Sequence, residues 1–307
     1  MSDSDFQIPA SYGASSIASS LRVSQLWRYP VKSLLGERLP TLRVVGDGVV
    51  GDRMWGIQDR SDGRILTARR EPRLLFASSR VAAHGDVPVI TLPNGQELTG
   101  PGPATDAALS AWLAKPVRLV AAAESEATQA EYFADATDDA SQAIEWTMPK
   151  GRFVDAFPVL VMTTAGLRGG AAAHSGGSWD VRRFRPNILI ELDGEGWLED
   201  AWAERRLSVG SAQLVPRQRC TRCTMVNRAQ PGLEKDVTST RRFIEPIRAK
   251  RECGPRSSNP GSSRRATPFR FHSHDCRAQH GRRVKGENAA QHGVQPTRPA
   301  AEVEHHF

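Results

Sequence analysis

Between residues 23 and 92 the chain repeats one short pattern, an apolar or β-branched piece of four to eight residues and then a turn bearing glycine or aspartate. The pieces fall at residues 23–29, 42–45, 55–58, 65–68, 74–81 and 87–92. Segments this short and bounded this way read as strands. Pro93-Asn94-Gly95-Gln96 ends the series as a hairpin turn, because Asn-Gly tolerates the positive φ angles of a tight two-residue loop. The region is expected to form a β-barrel or a folded sheet.

The pattern then changes. Residues 104–113 place Leu109, Trp112 and Leu113 on one helical face at i, i+3 and i+4, and Lys115-Pro116 closes that helix before a strand at 117–120. The acidic, alanine-rich stretch 121–143 reads as a loop or a linker between subdomains. Residues 157–162 form a continuous apolar run read as a strand, with Thr163 and Thr164 as candidate N-caps of a helix through 166–173. Another strand is expected at 188–192, a short helical turn at 197–202, and two strands broken at Gly210 over 207–215. A chain of 307 residues has room for two subdomains.

A net charge of +7 suggests a partner such as nucleic acid until the charge is located. Residues 238–307 hold 14 basic and 6 acidic residues, whereas residues 1–237 hold 27 basic and 28 acidic, so the body is close to neutral. The last 70 residues contain no Leu, Trp, Tyr or Met, and six of the eight histidines fall there. Such a segment cannot build a core, shows neither helical nor strand periodicity, and is expected to be disordered. It also lacks the aromatic platforms on which single-strand binders stack bases, so nucleic acid is not expected as a partner. The composition changes abruptly after Lys235-Asp236-Val237, as in a stretch read out of frame.

No cysteine precedes Cys220, so no secreted-type disulfide framework exists and reduced thiols are expected. The serine-rich N-terminus has neither a basic leader nor an apolar core, and no stretch reaches a membrane span, which points to a cytoplasmic protein without membrane contact.

Cys220-x-x-Cys223 by itself is open to several readings: half a zinc site, a redox dithiol, an iron–sulfur ligand pair, or two small residues at a strand end. Arg219 and Arg222 flank the thiols, and their charge favours thiolate. Arg185-Pro186-Asn187 offers a guanidinium fork suited to phosphate and an amide at the entrance to an apolar strand. Its plain alternative is a structural arginine paired with Asp180 or Glu191. Lys32 and Ser33 put a point charge and a hydroxyl just past a strand, where lysine is commonly only solvated. Arg53 has Asp52 as a ready partner.

In chain order, Tyr29-Pro-Val-Lys-Ser33, Gly51-Asp-Arg-Met-Trp55, Asp155 ahead of Pro158, Arg183-Phe-Arg-Pro-Asn187 and Arg219-Cys-Thr-Arg-Cys223 resemble the MOSC family, in the branch with a MOSC N-terminal β-barrel domain. The resemblance covers residues 23–237. It implies an α+β, β-rich fold: a disordered N-terminus at 1–20, a MOSC N-terminal β-barrel-like domain at 21–121, a MOSC β-barrel domain at 122–237, and a disordered tail at 238–307. It also implies a molybdenum cofactor (molybdopterin) rather than pyridoxal phosphate. In that reading Cys223 is the thiolate on the metal and the catalytic residue, with Thr221 and Arg222 beside the cofactor. Lys32, Ser33 and Arg53 would contact it from the barrel side and Asp155 and Arg185 from the MOSC side, while Cys220 is a neighbour.

The implied reaction is two-electron reduction of the N–O bond of a small N-hydroxylated substrate. No plant-type iron–sulfur spacing accompanies Cys253 and Cys276, so a separate electron donor, a ferredoxin-like, flavin or haem protein, is implied. A carrier of cofactor or sulfur is the alternative within the same family. The family pattern continues past residue 237 into late strands, which the arginine-rich segment replaces. The MOSC domain is therefore read as incomplete, with unpaired edges that impair cofactor retention and activity.

Overall fold

The computed structural model describes residues 22–83, 87–125, 129–133, 143–220, 222–236 and 301–304. Eight short strands come first: β1 (Arg22–Arg28), β2 (Glu37–Leu39), β3 (Thr41–Val45), β4 (Gly48–Val49), β5 (Trp55–Asp59), β6 (Ser78–Val81), β7 (Pro88–Thr91) and β8 (Glu97–Thr99). Helix α1 (Pro103–Leu113) leads to β9 (Val117–Ala121). There follow β10 (Gln129–Phe133), β11 (Ala143–Thr147), β12 (Val161–Thr163), helix α2 (Thr164–Ala173) and the single turn α3 (Val181–Phe184). After β13 (Ile188–Glu191) come the paired β14 (Leu207–Val209) and β15 (Ala212–Leu214), and finally β16 (Ala301–Glu304). The fold is α+β and strand-rich, as the sequence leads one to expect.

Among the described residues four apolar clusters hold these elements, and two of them are large. In the first, α1 lays Leu109 and Leu113 against Val31, Leu34, Ile57, Leu74, Leu75, Ile90 and Val117, while Trp112 stays partly buried at the margin. Burying each such aliphatic side chain contributes about 1.5–3 kcal/mol, so this cluster dominates the stability of the first half. Pro103 presets the first turn of α1, and Ala114 ends it in a left-handed cap.

The second core is shared between the halves, because the sheet that lines it runs β12-β13-β1-β2. β1 lies antiparallel to β13 with Leu26 opposite Ile188, and β12 lies parallel to β13 with Val161 opposite Ile188. A parallel pair needs a crossover, and α2 is part of it. Thr163 caps that helix, its Oγ1 accepting from Gly166 N at 2.9 Å. Gly170 has a packing reason: a Cβ there would sit 2.2 Å from the Trp179 ring.

Several expectations are corrected. Residues 74–81 are not one strand: Pro72–Phe76 winds into a 3-10 turn, as Pro72 presets, and only Ser78–Val81 is extended. Residues 65–68 make only an isolated bridge from Ile65 to Gln58. The stretch read as a linker contains β10, which pairs antiparallel with the β11 that starts at the last residue of that stretch, so that Gln129 faces Thr147. Of the apolar run 157–162 only its end is strand, and Phe157 is 49 % exposed. The turn after β7 is a three-residue loop with Leu92 N bonded to Gln96 O, and only its Gly95 has positive φ (85°), so the β-strands meet through a bulge-type turn. Residues 301–304, expected to be without strand pattern, pair with β3, whose edge offers unpaired backbone groups. The expected disorder of residues 1–20, and of the rest of the tail, lies outside the described residues.

Candidate functional site

Three backbone stretches converge just past β1. Arg53 N donates to Tyr29 O (2.8 Å), Trp55 N to Pro30 O (3.1 Å) and Lys32 N to Trp55 O (2.8 Å), which zips residues 29–32 to 53–55. Phe153 N then donates to Arg53 O (2.8 Å), bringing residues 153–155 alongside. From the second half, Pro186 O accepts from the Tyr29 hydroxyl at 3.1 Å. Lys32, Ser33, Arg53, Asp155 and Arg185, far apart in sequence, thereby surround one spot.

The backbone there is strained. Five non-glycine residues among those described have positive φ, and three of them are Ser33 (67°), Arg53 (52°) and Arg185 (56°). Each such conformation costs about 1–3 kcal/mol and persists only where its surroundings enforce it. Arg185 gets it by ending α3 as a left-handed cap, which turns its side chain back toward β1. Gly36 lets the chain close over the spot, since a Cβ on it would lie 2.5 Å from the Tyr29 ring.

Charges fill this enclosure. Lys32 Nζ donates to Asp155 Oδ1 at 2.6 Å and to Phe153 O at 2.9 Å. Arg69 Nη2 donates to Asp155 Oδ2, also at 2.6 Å. The guanidinium carbons of Arg185 and Arg53 lie 4.3 and 4.4 Å from the centre of the Tyr29 ring, within cation–π range. Arg185 donates once, to Leu34 O at 2.6 Å, and Arg53 is ion-paired to the buried Asp52.

Burial lowers the pKa of Lys32, with Asp155 working against the shift. Burial likewise lowers that of Arg185, to about 10, with Arg53 adding to the effect. Desolvation raises the carboxyl of Asp155, but the charges of Lys32 and then Arg69 outweigh it and hold it below the ordinary range. Lys32, Arg53, Arg69 and Arg185 outnumber Asp52 and Asp155, so the enclosure is suited to an anion.

Neighbouring residues of similar type do something else. Asp180 pairs with Arg182 and Glu191 with Arg22, so Arg185 has neither of the carboxylates considered as its structural partners. Arg183, 1 % exposed, donates to the carbonyls of Val226 (3.2 Å), Arg228 (3.0 Å) and Glu234 (2.5 Å), which staples the cysteine-bearing segment to α3. The Asn187 amide, which stands at the entrance to β13 as expected, is committed to backbone: it donates to Trp27 O and accepts from Leu160 N.

The cysteines sit where that staple holds them. Cys223 is half-buried and caps a 3-10 turn at Thr224–Asn227, while Cys220 is exposed. Met225 of that turn packs on the first core and Val226 on Met162, Phe184 and Leu189, so the turn bridges the two halves. Arg228 donates to the carbonyl of Arg69, a second tie to the barrel side. Arg222 points its guanidinium at Phe184 O and Met162 Sδ, both 3.4 Å, and at the Phe184 ring. Among the described residues no hydrogen bond joins it to Lys32, Asp155 or Arg185. Arg219 pairs with Asp200 at 2.8 Å and Arg222 lies within electrostatic reach of Glu199, so each of the two expected flanking cations has a carboxylate nearby. Thr221 lies outside the described residues.

Sequence reasoning missed Arg69. It follows an apolar piece in Thr67-Ala68-Arg69-Arg70-Glu71, where a basic pair beside a glutamate looks like a solvated turn. The signal that finds it is tertiary: Ala68 N donates to the Ser33 hydroxyl at 3.0 Å and turns Arg69 inward.

Residues 20–139 match the family described as MOSC N-terminal beta barrel domain, and residues 149–262 match the family described as MOSC domain. The chain belongs to the MOSC family and carries the MOSC N-terminal β-barrel domain ahead of the MOSC domain. Among its relatives are mitochondrial amidoxime-reducing component 1 of Homo sapiens, 27% identical over 266 residues, and of Mus musculus, 26% identical over 261. Mitochondrial amidoxime reducing component 2 of Homo sapiens is 25% identical over 260 residues. Each alignment covers 76% of this chain, and 73%, 72% and 73% of the respective relatives.

Proposed function

We propose that the protein is a molybdenum-cofactor-dependent oxidoreductase that reduces the N–O bond of small N-hydroxylated compounds. One observation carries the reading: a buried cationic enclosure, built from both halves, is tied by backbone and guanidinium contacts to the segment bearing the half-buried Cys223 thiol. Phosphate wants cations and a thiolate can ligate a metal, and the chain supplies both. In the segment from Arg222 to Gln230, which contains Cys223, buried polar atoms also lack partners among the described residues, namely Arg222 Nε, Thr224 Oγ1 and the Gln230 side-chain amide, as expected where a polar ligand belongs. The group fits.

Lys32, Arg53, Arg69 and Arg185 would hold the phosphate, and Cys223 the metal, with Ser33, Asp155, Thr221 and Arg222 around the cofactor. When bound, the cofactor supplies two-electron exchange at its metal. An N-hydroxylated amine plus two electrons and two protons gives the amine and water, so the N–O bond breaks with no other co-substrate. A separate electron-transfer protein must provide the electrons, and a cytoplasmic setting would keep both thiols reduced. No helix among the described residues is long and apolar enough to cross a membrane.

The exposed Cys220 favours a second reading, a sulfur or cofactor carrier that binds the same group without catalysis. Elemental analysis and turnover separate them. Purified protein from a host that makes the cofactor should hold molybdenum above the level of Cys223→Ala and reduce benzamidoxime with a chemical electron donor. Molybdenum without reduction would support the carrier, and equal, background molybdenum in both proteins would overturn the cofactor reading.

A further inference from the structure

The ion pairs of Asp155 are asymmetric. Its two cations are fixed, with Lys32 at 6 % and Arg69 at 2 % exposure, and each aims one donor at a different oxygen of the same carboxylate. The carboxylate is not fixed in the same way. Its side chain is 38 % exposed, the residues that follow, Ala156 and Phe157, are exposed, and none of the three lies in a helix or strand. Asp52, the other acid of the enclosure, is fully buried and accepts from Tyr29 N at 2.7 Å, so it cannot move aside.

Two buried cations without an anion would be costly, because like charges removed from water repel with little screening. Asp155 answers that cost in the protein as it stands. A phosphate monoester presents to a donor pair the same two-oxygen edge as a carboxylate, and brings roughly −1.5 to −2 charges at pH 7 against the single charge of Asp155. Arg53 and Arg185, facing the same spot, would add to its attraction.

We propose that Asp155 is an internal counter-ion that gives up Lys32 and Arg69 to an incoming oxyanion of the phosphate-monoester class, and that Arg69 is therefore a binding residue of this site. The proposal rests on the cofactor reading for the identity of the ligand that carries the phosphate. It adds a residue that the sequence did not mark and changes the role of Asp155 from holding the ligand to yielding to it.

The experiment is inorganic phosphate titrated calorimetrically into the cofactor-free full chain at low ionic strength. Asp155→Asn keeps the shape and removes the competing charge, so phosphate should bind about tenfold tighter than in wild type. Arg69→Gln should bind it about tenfold more weakly, and the double variant should show less than the full gain. If Asp155→Asn is poorly folded, the phosphate-induced rise in its urea midpoint reads the same affinity, and should exceed that of wild type. Unchanged or weaker binding by Asp155→Asn, or wild-type binding by Arg69→Gln, overturns the proposal. The two readings fail separately. Molybdenum retained in a protein whose phosphate binding ignores both substitutions leaves the cofactor reading standing, and the expected exchange in a protein that never holds molybdenum leaves only this proposal.

Discussion

In the first half of the chain most buried polar groups find partners. Gln58 donates to Gly63 O and accepts from Arg118 Nε, Asp59 accepts from the amide and hydroxyl of Ser61, and Asp106 accepts from Leu119 N. In the second half, His174 Nε2, Arg183 Nε, Arg222 Nε, Thr224 Oγ1 and both ends of the Gln230 amide are buried with no hydrogen-bond partner among the described residues. Each such group costs about 1–3 kcal/mol. The difference teaches where a ligand would be most stabilising: around the cysteine-bearing segment, which Met225 and Arg228 tie to the barrel side.

The largest effect that would break this contrast is on metal content. Cys223→Ala should lower bound molybdenum by at least about tenfold, whereas Cys220→Ala should change it little, as elemental analysis would show. An equal loss in both would make the thiols interchangeable and remove the distinction drawn from their burial.

Stability sharpens the contrast next. Leu75→Ala, in the fully buried first core, should cost about 2–5 kcal/mol in urea unfolding. Gln230→Met, which removes a buried amide without partners, should leave the cofactor-free chain unchanged or stabilise it by up to about 1 kcal/mol. A large loss from Gln230→Met would mean that its amide is satisfied in solution, and the second half would no longer differ from the first.

The smallest effect is on acid stability. Asp155 has a folded pKa below its unfolded value, so its contribution is present above the unfolded value of about 4 and is lost as pH falls further. With a third of its side chain in solvent, the contribution is screened and modest. Urea midpoints between neutral pH and about pH 3 should fall less steeply in Asp155→Asn than in wild type. Parallel curves would show that Asp155 does not titrate in its ion pairs.

Much of this was legible from residue order. The alternation of short apolar pieces announced strands, Thr163 announced the cap of α2, and Lys32, Arg53, Asp155 and Arg185 could be named because the motifs that contain them occur in a distinctive series. Periodicity failed where proline or distant pairing decided the backbone. Pro72 turned an apolar run into a 3-10 turn, and β10 formed in a stretch whose acidic composition hid its pairing with β11 at the far end.

Which arginine does what was not legible. Arg183 and Arg185 are two residues apart in the same phrase, yet one spends its donors on three carbonyls and the other lies over Tyr29 with a single carbonyl bond. The sequence by itself determined the chemistry available to this protein, cations and thiols in a strand-rich frame. Only the tertiary structure decided which charges face one another, because a guanidinium is committed by the carbonyls and carboxylates around it, and those of Arg185, Arg69 and Arg183 arrive from Leu34, Asp155 and residues 226–234, far away along the chain.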